Sequence, residues 1–368
     1  MGENTASTPK KLSTRDPGLD LMKAVALLWV ISLHMSTWKF DIIESGWNIS
    51  HVLQYSVRLL AEGVPILILV NGILLFSRKL DMKKHIRKII SLFLIFLLWT
   101  VILTVLEGIG HDEITPAYIL KHVLETQNGS EFTGCLWYLQ SLIGLYLIFP
   151  LLKVVYDHHR KIFCYFMGVA AFFSLMIPLT EVVLNLILHY HDNELITLTI
   201  PLIERFDPGG TGYFVFFFML GGYIADKKDL ILKHRAIWIL AGTGAWIVSY
   251  LICLGLTGIY GSIFDPAFDC SSVFTVFMML AIYCASSYVS SAAGWFKETL
   301  ESIGQNTLGI FLIHSIFIRF FPLEIISQIL ENMGLPGRLI KLLTVFIFSW
   351  AFSVILRNIP GLKKIISI

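Results

Sequence analysis

Charge is scarce in this sequence, and the scarcity excludes most soluble classes. Only 15% of the 368 residues are Asp, Glu, Lys or Arg, against 56% hydrophobic, and the mean hydropathy is +0.74. A soluble domain of this length does not stay so apolar throughout, so the composition points to a polytopic membrane protein. The net charge is +2, with cations in short clusters between apolar runs, which gives no ground for a nucleic-acid partner. Cysteine is sparse too. Its five copies lack metal-ligand spacing. Cys135 and Cys270 both fall near expected span ends, which reads as a disulfide or as two buried thiols. No Gly-rich phosphate loop, Ser/His/Asp signature or H-E-x-x-H stretch is visible. "HYHDNE" (His189 to Glu194) lacks the rigid helical spacing of a ligand set, so no metal site is expected. The first apolar run follows a polar tail and is not followed by a small-residue cleavage site, so no secretory signal is expected.

What the chain has in abundance is long apolar stretches. A helix crosses the ~30 Å hydrocarbon layer with about 20 residues. Runs of that order begin near Leu19, Tyr55, Ile86, Cys135, Ile162, Thr211, Ala236, Ser271, Gly304 and Arg338. The expectation is therefore an all-α, polytopic membrane helix bundle of about ten transmembrane helices. It forms one domain over residues 15–368, preceded by a disordered cytoplasmic tail, "MGENTASTPKKLST", at 1–14. Asp16-Pro17 opens the first helix, with Asp16 as cap and Pro17 in the first helical position. Basic connections ("SRKLDMKKHIRK", "KVVYDHHRK", "DKKDLILKHR") alternate with acidic or sparse ones. By the positive-inside rule both termini are cytoplasmic.

Ionisable residues inside spans are costly and mark functional candidates. The first span, "LDLMKAVALLWVISLHM", carries Lys23 near one end and His34 near the other. Eleven residues at ~100° each place them within ~20° of one helix face, ~16 Å apart along the axis. The same positions also suit a lysine snorkelling to headgroups and an interfacial histidine. In the second span Arg58 and Glu62 stand at i, i+4 and can pair with each other. Glu62 is also at a depth to meet His34, where a carboxylate on one imidazole nitrogen raises the basicity of the other. Asn71 comes later in that span, near the depth of Lys23. His314 sits mid-span, as a site histidine or as one bonded to a neighbouring helix.

"GLDLMKAVALLWVISLH" resembles the opening helix of the acyltransferase-3 family, the bacterial integral-membrane acyltransferases, in its Asp20 and His34. Lys23 stands where that family has arginine, and Asn71 where it usually has serine before the glycine. "EGVPILILVNGILLFSRKLDMKKHIRK", "LWYLQSLIGLYLIFPLL", "YFVFFFMLGGYIADK" and "SIGQNTLGIFLIHSIF" resemble later family segments, in order along nearly the whole chain.

The resemblance implies transfer of an acyl group, often acetyl, from cytoplasmic acyl-CoA to a hydroxyl of an envelope glycan or a related acceptor beyond the outer face. It implies a multi-pass protein of a bacterial inner (plasma) membrane, surrounded by the lipid bilayer. No cofactor is held permanently; acetyl-CoA or another acyl-CoA is the donor substrate. Carried over, His34 is the catalytic imidazole, helped by Glu62, and Lys23 takes the donor-side position with its charge but without bidentate geometry. Asn71, Arg78, Lys84 and Arg87 are expected beside the donor, the cations holding its phosphates. Arg58, Trp137, Tyr138 and His314 are expected toward the acceptor. A homo-oligomer is left open. The alternative is a carrier of a small solute or glycan, since intramembrane Lys, His and Glu also suit a transporter; a membrane scaffold or sensor is a third reading.

Overall fold

The computed structural model describes residues 15–35, 63–108, 115–124, 134–177, 212–260, 272–320 and 324–367, with a few positions between 179 and 187. The expected tail at 1–14, Arg58, Glu62, the "HYHDNE" stretch and Cys270 lie outside the described residues. Cys135 is buried. The described residues are all-helical and contain no strand.

Local chemistry sets the helix starts. Asp16 accepts from the Gly18 N–H at 2.9 Å and Pro17 follows, which opens α1 (Pro17–His34) where the sequence predicts. The next helix is α2 (Gly63–Phe76). Asp81 then caps α3 (Met82–Glu107) by accepting from the Lys84 N–H at 3.1 Å. That N–H holds the Asp81 carboxyl below the ordinary carboxylate range. A short α4 (Pro116–Leu124) precedes the tight turn Gly134–Leu136, which runs into α5 (Trp137–His158). α6 (Arg160–Ala171) continues as a π turn over Phe172–Met176. Then come α7 (Gly212–Asp226), α8 (Lys228–Lys233), α9 (Arg235–Tyr260) and α10 (Val273–Ser286), the last capped by Ser272. α11 (Gly294–Gln305), α12 (Thr307–Arg319), α13 (Glu324–Asn332) and α14 (Leu335–Asn358) complete the set, and a turn at Leu362–Ile365 follows.

Among the described residues six helical stretches are long and apolar enough to cross a membrane, beginning at Pro17, Met82, Gly134, Arg235, Val273 and Pro336. Three shorter apolar helices accompany them: Gly63–Phe76, Tyr213–Asp226 and Thr307–Arg319. The run expected from Gly304 is interrupted at its start. Asn306 turns its amide back to the Ser302 carbonyl (2.8 Å), separating α11 from α12. Exposed Ile86, Ile90, Phe93, Leu94 and Leu98 give α3 an apolar outer face of the kind lipid requires.

α1 is the hub. It packs against α2, α10, α11, α12 and α14, and its Met22, Leu27 and Ile31 are fully buried. Lipid tails are as apolar as leucine, so helices in a membrane associate through close backbone approach at small residues. α2 shows this on both sides. A Cβ at Gly63 would overlap the Ala26 carbonyl of α1. A Cβ at Gly72 would overlap the Phe218 carbonyl of α7, and one at Gly221 would meet the Leu69 carbonyl in return. Gly72→Ala should therefore force the helices apart and cost about 1–3 kcal/mol. The thermal unfolding midpoint in detergent should fall, whereas Gly144→Ala, at a position with open space around it, should not lower it. Equal midpoints would refute the close α2–α7 crossing.

Candidate active site

The site is organised along α1. At its start Asp20 is 1% exposed. Its carboxylate accepts from Arg15 at 2.5 and 2.8 Å, through Nε and Nη2, and from Lys23 Nζ at 3.3 Å. Gly304 of α11 backs this group so closely that a Cβ there would overlap the Asp20 carboxylate. One buried anion thus fixes two cations at one end of the bundle.

Those cations face a cavity of about 430 Å³. Its wall includes Arg15, Lys23, Lys88, Arg357 and Lys363, and no carboxylate is among the described lining residues. With Asp20 counted against its two partners, a net charge of +4 remains. Arg357 is held by its hydrogen bond to the Gln305 carbonyl at 2.8 Å. Lys88 stands over the Tyr146 ring, 5.0 Å from its centre. Tyr146 donates from its hydroxyl to Asn71 Oδ1 at 2.9 Å, while Asn71 Nδ2 donates to the Leu67 carbonyl at 2.8 Å and faces the Tyr138 hydroxyl at 3.5 Å. Asn71, Tyr138 and Tyr146 all line the cavity, so its middle is a hydrogen-bonded polar wall inside an apolar bundle.

At the far end of α1, His34 is exposed. Its ring stacks on that of His314, with centres 5.2 Å apart and planes at 28°. His314 is fully buried in α12, and its Nδ1 bonds the Phe311 carbonyl. A carbonyl only accepts, so Nδ1 carries the proton and Nε2 of the neutral ring presents a lone pair. That Nε2 has no hydrogen-bond partner among the described residues. The cavity and the histidine pair are joined by aromatic contact. Tyr138 lies against Phe311, ring centres 4.9 Å apart, and Phe311 against His314 at 5.6 Å. Tyr138 and Phe311 line the cavity and the two histidines do not. One layer of rings therefore stands between the cations and the imidazoles.

The structure brings together Lys23, Asn71 and Tyr138 at the cavity, and His34 with His314 beyond it. It does not bring Lys84 or Arg87 to the cavity wall. Lys84 is exposed and pairs with Asp81 at 3.1 Å, one helical turn beyond Lys88, and Arg87 is exposed as well. Arg78 is exposed, close enough for its charge to be felt at Lys23 and Lys88. Trp137 is half-buried against Phe214, ring centres 5.5 Å apart. Arg58 and Glu62 lie outside the described residues. Sequence reasoning missed Arg15, Tyr146, Phe311, Arg357 and Lys363 as wall residues. Tyr146 carried a faint signal, two turns after Tyr138 on one helix; Arg357 and Lys363 carried none, because they arrive from the distant end of the chain.

Apolar helices long enough to cross a bilayer, packed round one that carries a lysine at an internal cavity and a histidine beyond it, define a multi-pass membrane protein with an internal site. Residues 16–355 match the acyltransferase-3 family as an acyltransferase domain. The chain belongs to that family and is a membrane acyltransferase. No curated protein and no solved structure matches it.

Proposed function

We propose that this protein moves an acyl group, acetyl in the first instance, from cytoplasmic acyl-CoA to a hydroxyl of an envelope glycan or related acceptor on the other side of a bacterial inner membrane. The observation that carries the reading is the pairing, along one helix, of a carboxylate-free cationic cavity with a stacked imidazole pair. CoA presents a diphosphate and a phosphate monoester, about −4 in total at neutral pH, and the cavity offers +4. Lys23, Lys88, Arg15 and Arg357 hold these phosphates, with Arg78 adding positive potential. Asn71 and the two tyrosines hydrogen-bond the amide-rich arm, and the thioester reaches toward Phe311 and the histidines. In this orientation the Lys23 end and both termini are cytoplasmic, and about ten spans are present, in keeping with the alternating loop charges.

His34 acts as the general base. It takes the proton of the acceptor hydroxyl as the oxygen attacks the thioester carbonyl, with Glu62 supporting the imidazolium so formed. The tetrahedral oxyanion accepts a hydrogen bond from the hydroxyl of Tyr138, whose ring lies against Phe311. Collapse breaks the C–S bond. The thiolate leaves with the proton carried by His34, giving the ester and free CoA. His314 orients His34 by stacking, and Arg58 and Trp137 belong to the acceptor side. The carrier reading draws no support from the family match.

Binding of CoA to the purified protein in lipid nanodiscs tests the donor site. Lys23→Ala should weaken binding by about tenfold to a hundredfold, the worth of one charge-assisted hydrogen bond. Lys23→Arg should bind much as the native chain does, since it keeps the charge. No measurable CoA binding by the native protein, or identical affinities for all three, would overturn the assignment.

A further inference from the structure

The cavity is not closed by the membrane helices alone. After α14, Ile359–Pro360–Gly361 turns the chain back on itself, with Gly361 at φ +93°, a conformation that favours glycine. The returning segment, 359–367, lies along the cavity mouth, where Lys363, Ile366 and Ser367 line its wall. Two contacts hold it there. The Trp99 indole N–H of α3 donates to the Ile365 carbonyl at 2.7 Å. Ile366 is 2% exposed and packs beside Gly309 of α12, its Cβ 3.5 Å from where a Cβ on that glycine would stand. The last residues also brace themselves, with Ser367 donating from its N–H (3.1 Å) and its hydroxyl (2.7 Å) to the Lys363 carbonyl.

We propose that segment 359–367 is a strap that completes the donor site, with Lys363 a phosphate-binding residue at the mouth and Trp99 the positioning residue that latches it. This rests on the reading of the cavity as the acyl-CoA site. A lysine near a cytoplasmic helix end is explained by topology alone when only its charge matters. Here the backbone that carries it is held in place as well. The segment is held by the burial of Ile366 and by the indole N–H on the Ile365 carbonyl. The result is one more cation on a cavity wall that, among the described residues, already gathers four and holds no carboxylate. Lys363 and its neighbour Lys364 are both exposed, and of the two only Lys363 belongs to that wall.

The test is CoA binding to the full chain in nanodiscs, with pantetheine, which lacks every phosphate, as the second probe. Lys363→Ala should raise the CoA dissociation constant about tenfold, Lys363→Arg should restore it, and pantetheine binding should be the same in all three. Trp99→Phe keeps the ring packing and removes the indole N–H, and it should speed CoA dissociation several-fold. Native CoA affinity in Lys363→Ala together with a native off-rate in Trp99→Phe would overturn the strap while leaving the donor site standing. A parallel loss of pantetheine binding in Lys363→Ala would show a structural role and also overturn it. Absence of CoA binding by the native chain would overturn the donor site and the strap together.

Discussion

His34→Ala should leave CoA binding at its native affinity and lower acyl transfer by about a thousandfold. General-base catalysis by a positioned side chain is worth about 10²–10⁴ in rate, and an acceptor alcohol is a poor nucleophile until its proton is withdrawn. The separation of the two readouts follows from the geometry. His34 is not part of the cavity wall and stands beyond the Phe311 ring, stacked on His314. Losing its imidazole takes no residue from the cavity wall that faces the phosphates. His314 is the group that remains. Its Nδ1 is committed to the Phe311 carbonyl and only Nε2 is open, so it cannot be re-aimed at the acceptor from inside α12. A His34→Ala protein that binds CoA and transfers at the native rate would remove His34 from the chemistry. Loss of both binding and transfer would show a conduit organised differently from the one described.

The second large effect lies at the other end of α1. Asp20→Ala should destabilise the folded protein by about 3 kcal/mol, the low end of the range for removing one partner of a buried ion pair. Lys23 and Asp20 have side-chain exposures of 15% and 2%, so the loss leaves a nearly buried ammonium without its carboxylate. The low end applies because Arg15, the other partner, is 31% exposed and can turn to water. Asp20→Asn should be affected similarly, since an amide cannot accept two charged N–H bonds from the Arg15 fork. The measurement is the thermal unfolding midpoint in detergent without ligand. A midpoint unchanged from the native protein would mean that Asp20 does not anchor the two cations.

Much of this site could be read from residue order. The helical spacing of Lys23 and His34 put a cation and an imidazole on one face, and the structure places one in the cavity and the other against His314. The Asp16-Pro17 start and the polar position of Asn71 were legible for the same reason: local rules suffice to state them. The basic run after α2 was legible only as a charge. Which cation turns inward depends on the turn of α3 that meets the cavity, so Lys88 lines the wall while Lys84, one turn outward, pairs with Asp81. The break at Asn306 within the run expected from Gly304 depends on Ser302 and on Ser353, whose hydroxyl donates to Asn306 Oδ1 at 3.2 Å from another helix. The return of 359–367 was invisible, because nothing in "PGLKKIIS" reveals that Trp99 waits for its carbonyl.

The central claim is that the cationic cavity and the imidazole pair along α1 join a cytoplasmic donor to an acceptor on the far side of the membrane. Its most direct test uses proteoliposomes with the Lys23 end facing inward, loaded with acetyl-CoA radiolabelled in the acetyl group, and an impermeant glycan outside. The account predicts labelled external glycan with the native protein and none with His34→Ala. External glycan that stays unlabelled while an enclosed one is acetylated by the native protein would contradict it.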